Sequence, residues 1–190
     1  ARIELMLLLT NARRSVTNIK VAPTLKPQAG VSRDRLWGLI QQLGLEPLCR
    51  KQGSSIGLGR ARQLFLSAER NSNIVGHTAT LLLEVDEAQD VDIDKFDKEL
   101  RPMAASTNAT TVFYGTAWDD ANLLERARRG HLAAEARDGV RRHFEYDWQV
   151  VGEELPAYAA FVQRHNPARS TSPGWTSPAA PMPGRPRATT

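Results

Sequence analysis

Two adjacent carboxylates close an apolar run. Leu81-Leu82-Leu83-Glu84-Val85-Asp86-Glu87 reads as a short buried strand that delivers Asp86 and Glu87 at its carboxyl end. Ligands of open α/β sheets bind at that edge. Neighbouring residues at a strand end point in different directions, so the two acids can take separate tasks. Asp86 can hold a Mg²⁺ ion, usually through its water shell. Glu87 can orient and polarise a water that attacks a γ-phosphate. A strand followed by a solvated acidic turn is the plainer reading of the same residues.

A second run carries a different group. Thr110-Thr111-Val112-Phe113-Tyr114-Gly115-Thr116-Ala117 reads as a β-branched and aromatic strand that stops at Gly115, with a hydroxyl, Thr116, just beyond. In a parallel sheet this sets Thr116 beside the acidic pair, where it can sense the γ-phosphate and pass on its loss. A hydroxyl at a helix entry is the plainer alternative.

The rest of the chain must position these two strand ends. Ile3 to Asn11 is apolar and reads as helix. Val16 to Val21 reads as a strand ended by Pro23. Leu36, Leu39, Ile40 and Leu43 have helical spacing after Ser32 and are closed by Gly44. Leu45 to Ser67 holds two β-like pieces around Gly53, Gly57 and Gly59, read as a hairpin. Asp92 to Ala105 reads as a helix with Phe96, Leu100 and Met103 on one face. A helix over Asp119 to Arg129 with Asp119 as N-cap follows, then a strand within Val140 to Val151. Leu155 to Arg164 reads as a last helix with Pro156 in its first turn. Strands alternating with helices predict an α/β fold, a parallel sheet with helices on both faces.

Composition limits what else the chain does. It has 190 residues, 25 Lys+Arg against 21 Asp+Glu, and 41% hydrophobic residues, enough for a buried core. The single cysteine, Cys49, excludes a disulfide framework and a Cys-rich zinc site, and fits a reducing cytoplasm. The apolar run Leu5 to Leu9 is far short of a membrane span. From His165 to Thr190 there are three arginines (Arg169, Arg185, Arg187), no acid, and six of the 11 prolines. That segment accounts for most of the net charge of +4 and cannot bury enough apolar surface to offset its ordering entropy. It reads as a disordered tail over 166–190, which could touch DNA phosphates or be inert.

The block from Leu81 to Val91, with Asp86-Glu87-Ala88-Gln89-Asp90 at its heart, and then Arg101 to Trp118, resembles the ATPase domain of the large terminase subunit, the motor that packages DNA into tailed-phage heads. Asp86 and Glu87 match that family's Walker B pair, and Gly115-Thr116-Ala117 its coupling motif. Val21 through Gln28, Ser32 to Leu36, Phe65 to Ala68 and Val75 to Ala79 are also similar, so the resemblance spans roughly residues 20–150. It implies a P-loop NTPase fold of the ASCE, RecA-like kind, with ATP and Mg²⁺ as cofactors. In this reading Glu87 is the catalytic base, Asp86 holds the metal, and Thr116 couples hydrolysis to movement. It further implies double-stranded DNA, a small terminase subunit and a portal protein as partners, a homo-oligomeric ring, no membrane, and a bacterial host cytoplasm as the setting.

The sequence departs from the family in three ways. No Gly-x-x-x-x-Gly-Lys-Ser/Thr occurs, and Gly53 to Arg60 lacks the lysine and the hydroxyl. Residues 1–165 are therefore expected to be a partial ATPase domain, with the helix at Ile3 to Asn11 following a phosphate-binding loop upstream. Nucleotide-contacting residues stay unassigned. The nuclease domain of terminases has no counterpart, and the tail after Asn166 does not resemble the family. Two alternatives stay open: a superfamily 1 helicase-like ATPase, since Asp86 to Asp90 also occurs there, and an inactive prophage remnant. Helicases, however, follow this box with Gly-Asp-x-x-Gln, where this chain has Gly115-Thr116-Ala117-Trp118.

Other constellations are weaker. Asp90 to Asp94 mimics the start of a calcium loop, but Lys95 stands where its glycine should be and Arg101 where its last acid should be. His77, His131, His143 and His165 show no ligand spacing. Arg13-Arg14, Arg128-Arg129, Arg141-Arg142, Arg60 and Arg62 fit either surface solubility or contact with DNA.

Overall fold

The computed structural model describes residues 1–116 and 119–165. The proline-rich segment 166–190, Ala117 and Trp118 lie outside them. Residues Ala1–Val140 form one compact unit, and the described residues from Arg141 to His165 belong to another.

The first unit is a six-stranded sheet. Its strands are β1 (Val16–Ala22), β2 (Cys49–Gln52), β3 (Ser55–Leu58), β4 (Ala61–Ser67), β5 (Leu82–Val85) and β6 (Thr110–Phe113), in the order β2-β3-β4-β1-β5-β6. β4, β1, β5 and β6 are parallel, while β2 and β3 are antiparallel. The sheet is therefore mixed, with the expected parallel sheet as its centre. The segment expected to be a single hairpin is a three-stranded meander. Gly53 and Gly59 each turn the chain at positive φ, whereas Gly57 lies within β3.

Helices cover both faces. α1 (Arg2–Thr10) and α2 (Gly30–Gln42) lie on one face, where Leu5, Leu8, Leu36 and Ile40 pack with Ile56, Ala61 and Phe65. On the other face are the helical turns of α3 (Ile93–Lys95), a wider turn at Phe96–Leu100, and α4 (Arg101–Ala105). Phe96, Leu100 and Met103 pack there with Ile19, Val21, Leu83 and Val85, as does Leu123 of α5 (Leu123–Asp138). Strand alternation decides which residues go where. In β1, Ile19 and Val21 face α3 and α4, and Lys20 points to the α1 side.

Two boundaries differ from the sequence reading for local reasons. α5 begins at Leu123, not Asp119, because the Asn122 side chain accepts the Glu125 N–H at 2.9 Å and caps the helix. Asp119 accepts the Ala121 N–H instead and makes a turn before the helix. The strand expected within Val140 to Val151 is absent. The second unit holds α6 (Trp148–Glu154), started by Asp147, whose carboxylate accepts the Gln149 and Val150 N–H groups, and α7 (Pro156–His165). Among the described residues no helix is long and apolar enough to cross a membrane.

The sheet order places a topological switch between β1 and β5. The connection from β1 runs through α2 to β4 on one side. The connection from β5 runs through α3 and α4 to β6 on the other. The crevice outside the carboxyl ends of two such strands is where open sheets bind ligands.

Leu83 tests this core. It is fully buried and pairs with Ile19 of β1 and Thr111 of β6. Leu83→Ala is expected to cost about 2–5 kcal/mol of stability, read by chemical denaturation.

Candidate active site

At the switch point the chain brings Asp86, Glu87 and Thr116 to one edge. Asp86 follows β5 directly, and its N–H donates to the Val21 carbonyl of β1 at 2.8 Å. Its side chain is 30% exposed. Lys20 Nζ lies 3.5 Å from Asp86 Oδ2, and Ser32 Oγ, at the start of α2, donates to the same oxygen at 3.4 Å. Two neighbours from different elements thus fix one carboxylate oxygen.

Lys20 holds more than Asp86. Its ammonium is 3.4 Å from Glu4 of α1, 3.8 Å from Glu84 of β5, and 5.5 Å from the centroid of the Tyr114 ring. Glu4 and Glu84 are buried. Burial works against the charged form of Lys20, but the attraction of Glu84, Glu4 and Asp86 outweighs it and raises its pKa. Burial and the nearby Glu4 push Glu84 the other way from an ordinary glutamate, up to about 7, against the pull of Lys20. Burial and the charges of Glu84 and Glu4 raise the Tyr114 phenol to about 12.

Glu87 sits in the left-handed region, with φ 48° and ψ 49°. A side chain there carries a steric cost, and the surroundings hold the turn in place. The Ala88 N–H donates to the Tyr114 carbonyl at 2.8 Å, and the Asp90 N–H to the Glu87 carbonyl at 2.9 Å. The carboxylate is aimed by Gln89, whose Nε2 donates to Glu87 Oε2 at 2.6 Å.

Gln89 also joins the two predicted site strands. Its Oε1 accepts the backbone N–H of Thr116 at 3.2 Å, so one buried amide spans from Glu87 to Thr116. A β-carbon at Gly115 would overlap Gln89 Oε1, so only glycine leaves room for this bridge. The contact runs through the Thr116 amide. The Thr116 hydroxyl makes no hydrogen bond among the described residues. A cleft of about 350 Å³ opens beside the turn, lined by Gln89 together with Pro23, Glu69, Arg70, Asp92 and Asn122. It borders the turn but contains neither Asp86 nor Glu87.

Among the described residues no cluster of three or more His, Cys, Asp or Glu side chains could hold a metal by itself. A single half-exposed carboxylate suits Mg²⁺ nonetheless, because that ion is commonly bound by one or two carboxylates, water and substrate phosphates. Asp86, with one oxygen already fixed by Lys20 and Ser32, fits such a role.

Comparison with solved structures meets this geometry. The HK97 bacteriophage large terminase matches with a TM-score of 0.66 at 18% identity, over 88% of this chain and 40% of that one. The ATPase domain of the Thermus phage P74-26 large terminase matches at 0.57 and 16%, and a mutant of that domain at 0.61 and 16%. In both cases the match covers 88% of this chain and 77% of the other. This chain has the fold of a large-terminase ATPase domain. That is a P-loop-type α/β fold, as the sequence reading expected, and the chain spans less than half of the HK97 protein. No family model matches the sequence, and no curated protein is detectably similar to it.

Sequence reasoning placed Asp86, Glu87 and Thr116 at strand ends but missed Lys20, Glu84 and Gln89. The available signal was a lone charge inside each of two apolar strands, Val16 to Ala22 and Leu81 to Val85. Gln89 carried no signal of its own.

Two measurements probe the site without assuming its function. The fold prefers Glu84 protonated. Its contribution to stability is complete below the ordinary glutamate value of 4.5 and is lost as the pH rises through about 7. Glu84→Gln should therefore raise the melting temperature at pH 8 and change it little at pH 5. In a separate variant, Glu87→Gly should stabilise the chain by about 1 kcal/mol, because glycine accepts the left-handed backbone. Glu87→Val, tested by the same denaturation assay, should destabilise it.

Proposed function

We propose that this chain is the ATP-hydrolysing part of a phage DNA-packaging motor. The observation that carries the reading is the Gln89 bridge, which ties the Glu87 carboxylate, just past β5 at the switch point, to the chain just after β6. The terminase-type fold supports it. In this reading Glu87 acts as general base toward a water, and Gln89 keeps its carboxylate oriented. Asp86, steadied by Lys20 and Ser32, would hold Mg²⁺, which when bound neutralises charge on the phosphates of ATP. Thr116 feels a change at Glu87 through Gln89 and carries it to the chain beyond β6. The full protein would act on double-stranded DNA as a homo-oligomeric ring, with a small terminase subunit and a portal protein as partners.

Hydrolysis needs a phosphate cradle, which the sequence lacks. The first test is the DNA flanking this reading frame. An in-frame glycine-rich loop ending in Lys-Ser or Lys-Thr upstream of Ala1 is expected. An in-frame stop codon upstream of Ala1 with no such loop between them would remove the hydrolase reading from this chain. In the polypeptide that carries the loop, Glu87→Gln should lower Mg²⁺-dependent ATP hydrolysis by about 100-fold or more. Gln89→Ala and Gly115→Ala should keep nucleotide binding and uncouple hydrolysis from DNA movement. Strand unwinding by the parent protein would instead support a helicase.

A further inference from the structure

The opposite end of the sheet from the acidic pair is basic, and its cations are unpaired. Residues 5–33 and 47–68 contain no aspartate or glutamate. Both stretches meet at the amino ends of β1 and β4. The Arg60 N–H donates to the Ala12 carbonyl at 2.8 Å, which fixes the β3–β4 turn beside the loop carrying Arg13 and Arg14. Gly59 permits that approach, since a β-carbon there would collide with the Ala12 carbonyl oxygen. Arg13, Arg14 and Arg60 are exposed, and none has an acid within ion-pair distance among the described residues.

Two more arginines extend this end onto the sheet face. Arg50 of β2 pairs in register with Gly57 of β3, and Gly57 with Arg62 of β4. In-register neighbours share a face, so Arg50 and Arg62 stand on the same side with a bare glycine between them. Their face is opposite to α1 and α2, because Ile56, Leu58, Ala61 and Phe65 occupy the other side. The remaining residues on this face of β2 and β3 are Gln52 and Ser55. Both arginines are exposed and have no ion-pair partner among the described residues, with Arg62 lying along Gly57. The contrast across the sheet is sharp. On the α2 side, Lys51 and Arg33 share the carboxylate of Asp34.

We propose that Arg50 and Arg62, with Arg13, Arg14 and Arg60 at their margin, form a surface that binds the phosphate backbone of duplex DNA. The charges are spread across strands spaced about 4.8 Å apart, so they match an extended polyanion better than a single phosphate group. A glycine within a strand marks a place where another backbone approaches closely. On β2 and β3 this face carries Arg50, Gln52, Ser55 and Gly57, with no aromatic or large aliphatic anchor of the kind that protein partners use. The choice of duplex DNA rests on the packaging-motor reading. The surface itself does not.

The test is fluorescence anisotropy of a labelled DNA duplex with this chain, over a series of salt concentrations. Arg50→Gln/Arg62→Gln should weaken binding roughly tenfold and lower the slope of log affinity against log salt by about 2, the value for two lost phosphate contacts. Arg50→Lys/Arg62→Lys should restore most of the binding. Circular dichroism melting controls for folding. A double Gln variant that binds with the parent's affinity and slope overturns the proposal. So does a loss of binding produced only by replacing Arg169, Arg185 and Arg187 in the tail. Equal affinity for polyglutamate overturns the assignment to nucleic acid. The assay does not read hydrolysis. A protein with no ATPase activity that still shows the slope change loses the motor reading and keeps this surface.

Discussion

One ammonium group sets the geometry of the candidate site. Lys20 stands where α1, β1 and β5 meet, with Glu4, Glu84 and Asp86 around it. Removing the lysine from such a buried cluster costs about 3–5 kcal/mol, because the carboxylates left behind lose their counter-charge in a place with little solvent. The cluster therefore ties three elements together more by forbidding their separation than by adding net stability. Asp86 is the member at the rim, and it inherits a fixed position from a lysine whose own place is set by the register of β1 and β5. The backbone adds a second restraint through the Asp86 N–H and the Val21 carbonyl.

The next residue is restrained by a different device. Glu87 has no ion pair among the described residues and depends on an unusual backbone conformation and one amide. Gln89 reads two strands at once, and Gly115 is bare so that it can. The two acids of the pair are thus held by independent means, one electrostatic and one steric.

The strands that carry the chemistry were legible because each is a short apolar run ended by a polar residue: Leu82–Val85 before Asp86, Thr110–Phe113 before Thr116. The meander was less so. Gly53, Gly57 and Gly59 look alike in sequence, and only their backbone angles show that two are turns and one lies inside a strand. The start of α5 depended on which of Asp119 and Asn122 captured a helix N–H, and both are good caps. Lys20 and Glu84 stayed hidden because an ion pair across strands depends on register, which one sequence does not print. Gln89 stayed hidden because its role lies in reaching two partners that are distant along the chain.

The left-handed backbone at Glu87 also limits how this position can drift. Glycine and asparagine fit that conformation best, and neither can take a proton from water. Selection for folding alone would therefore favour replacements that remove the carboxylate. In the proposed reading, a glutamate kept here against that pressure would mark a lineage still under selection for its chemistry. A glycine or asparagine at the same place in a natural copy would mark a sheet that had kept its shape after its work had ended.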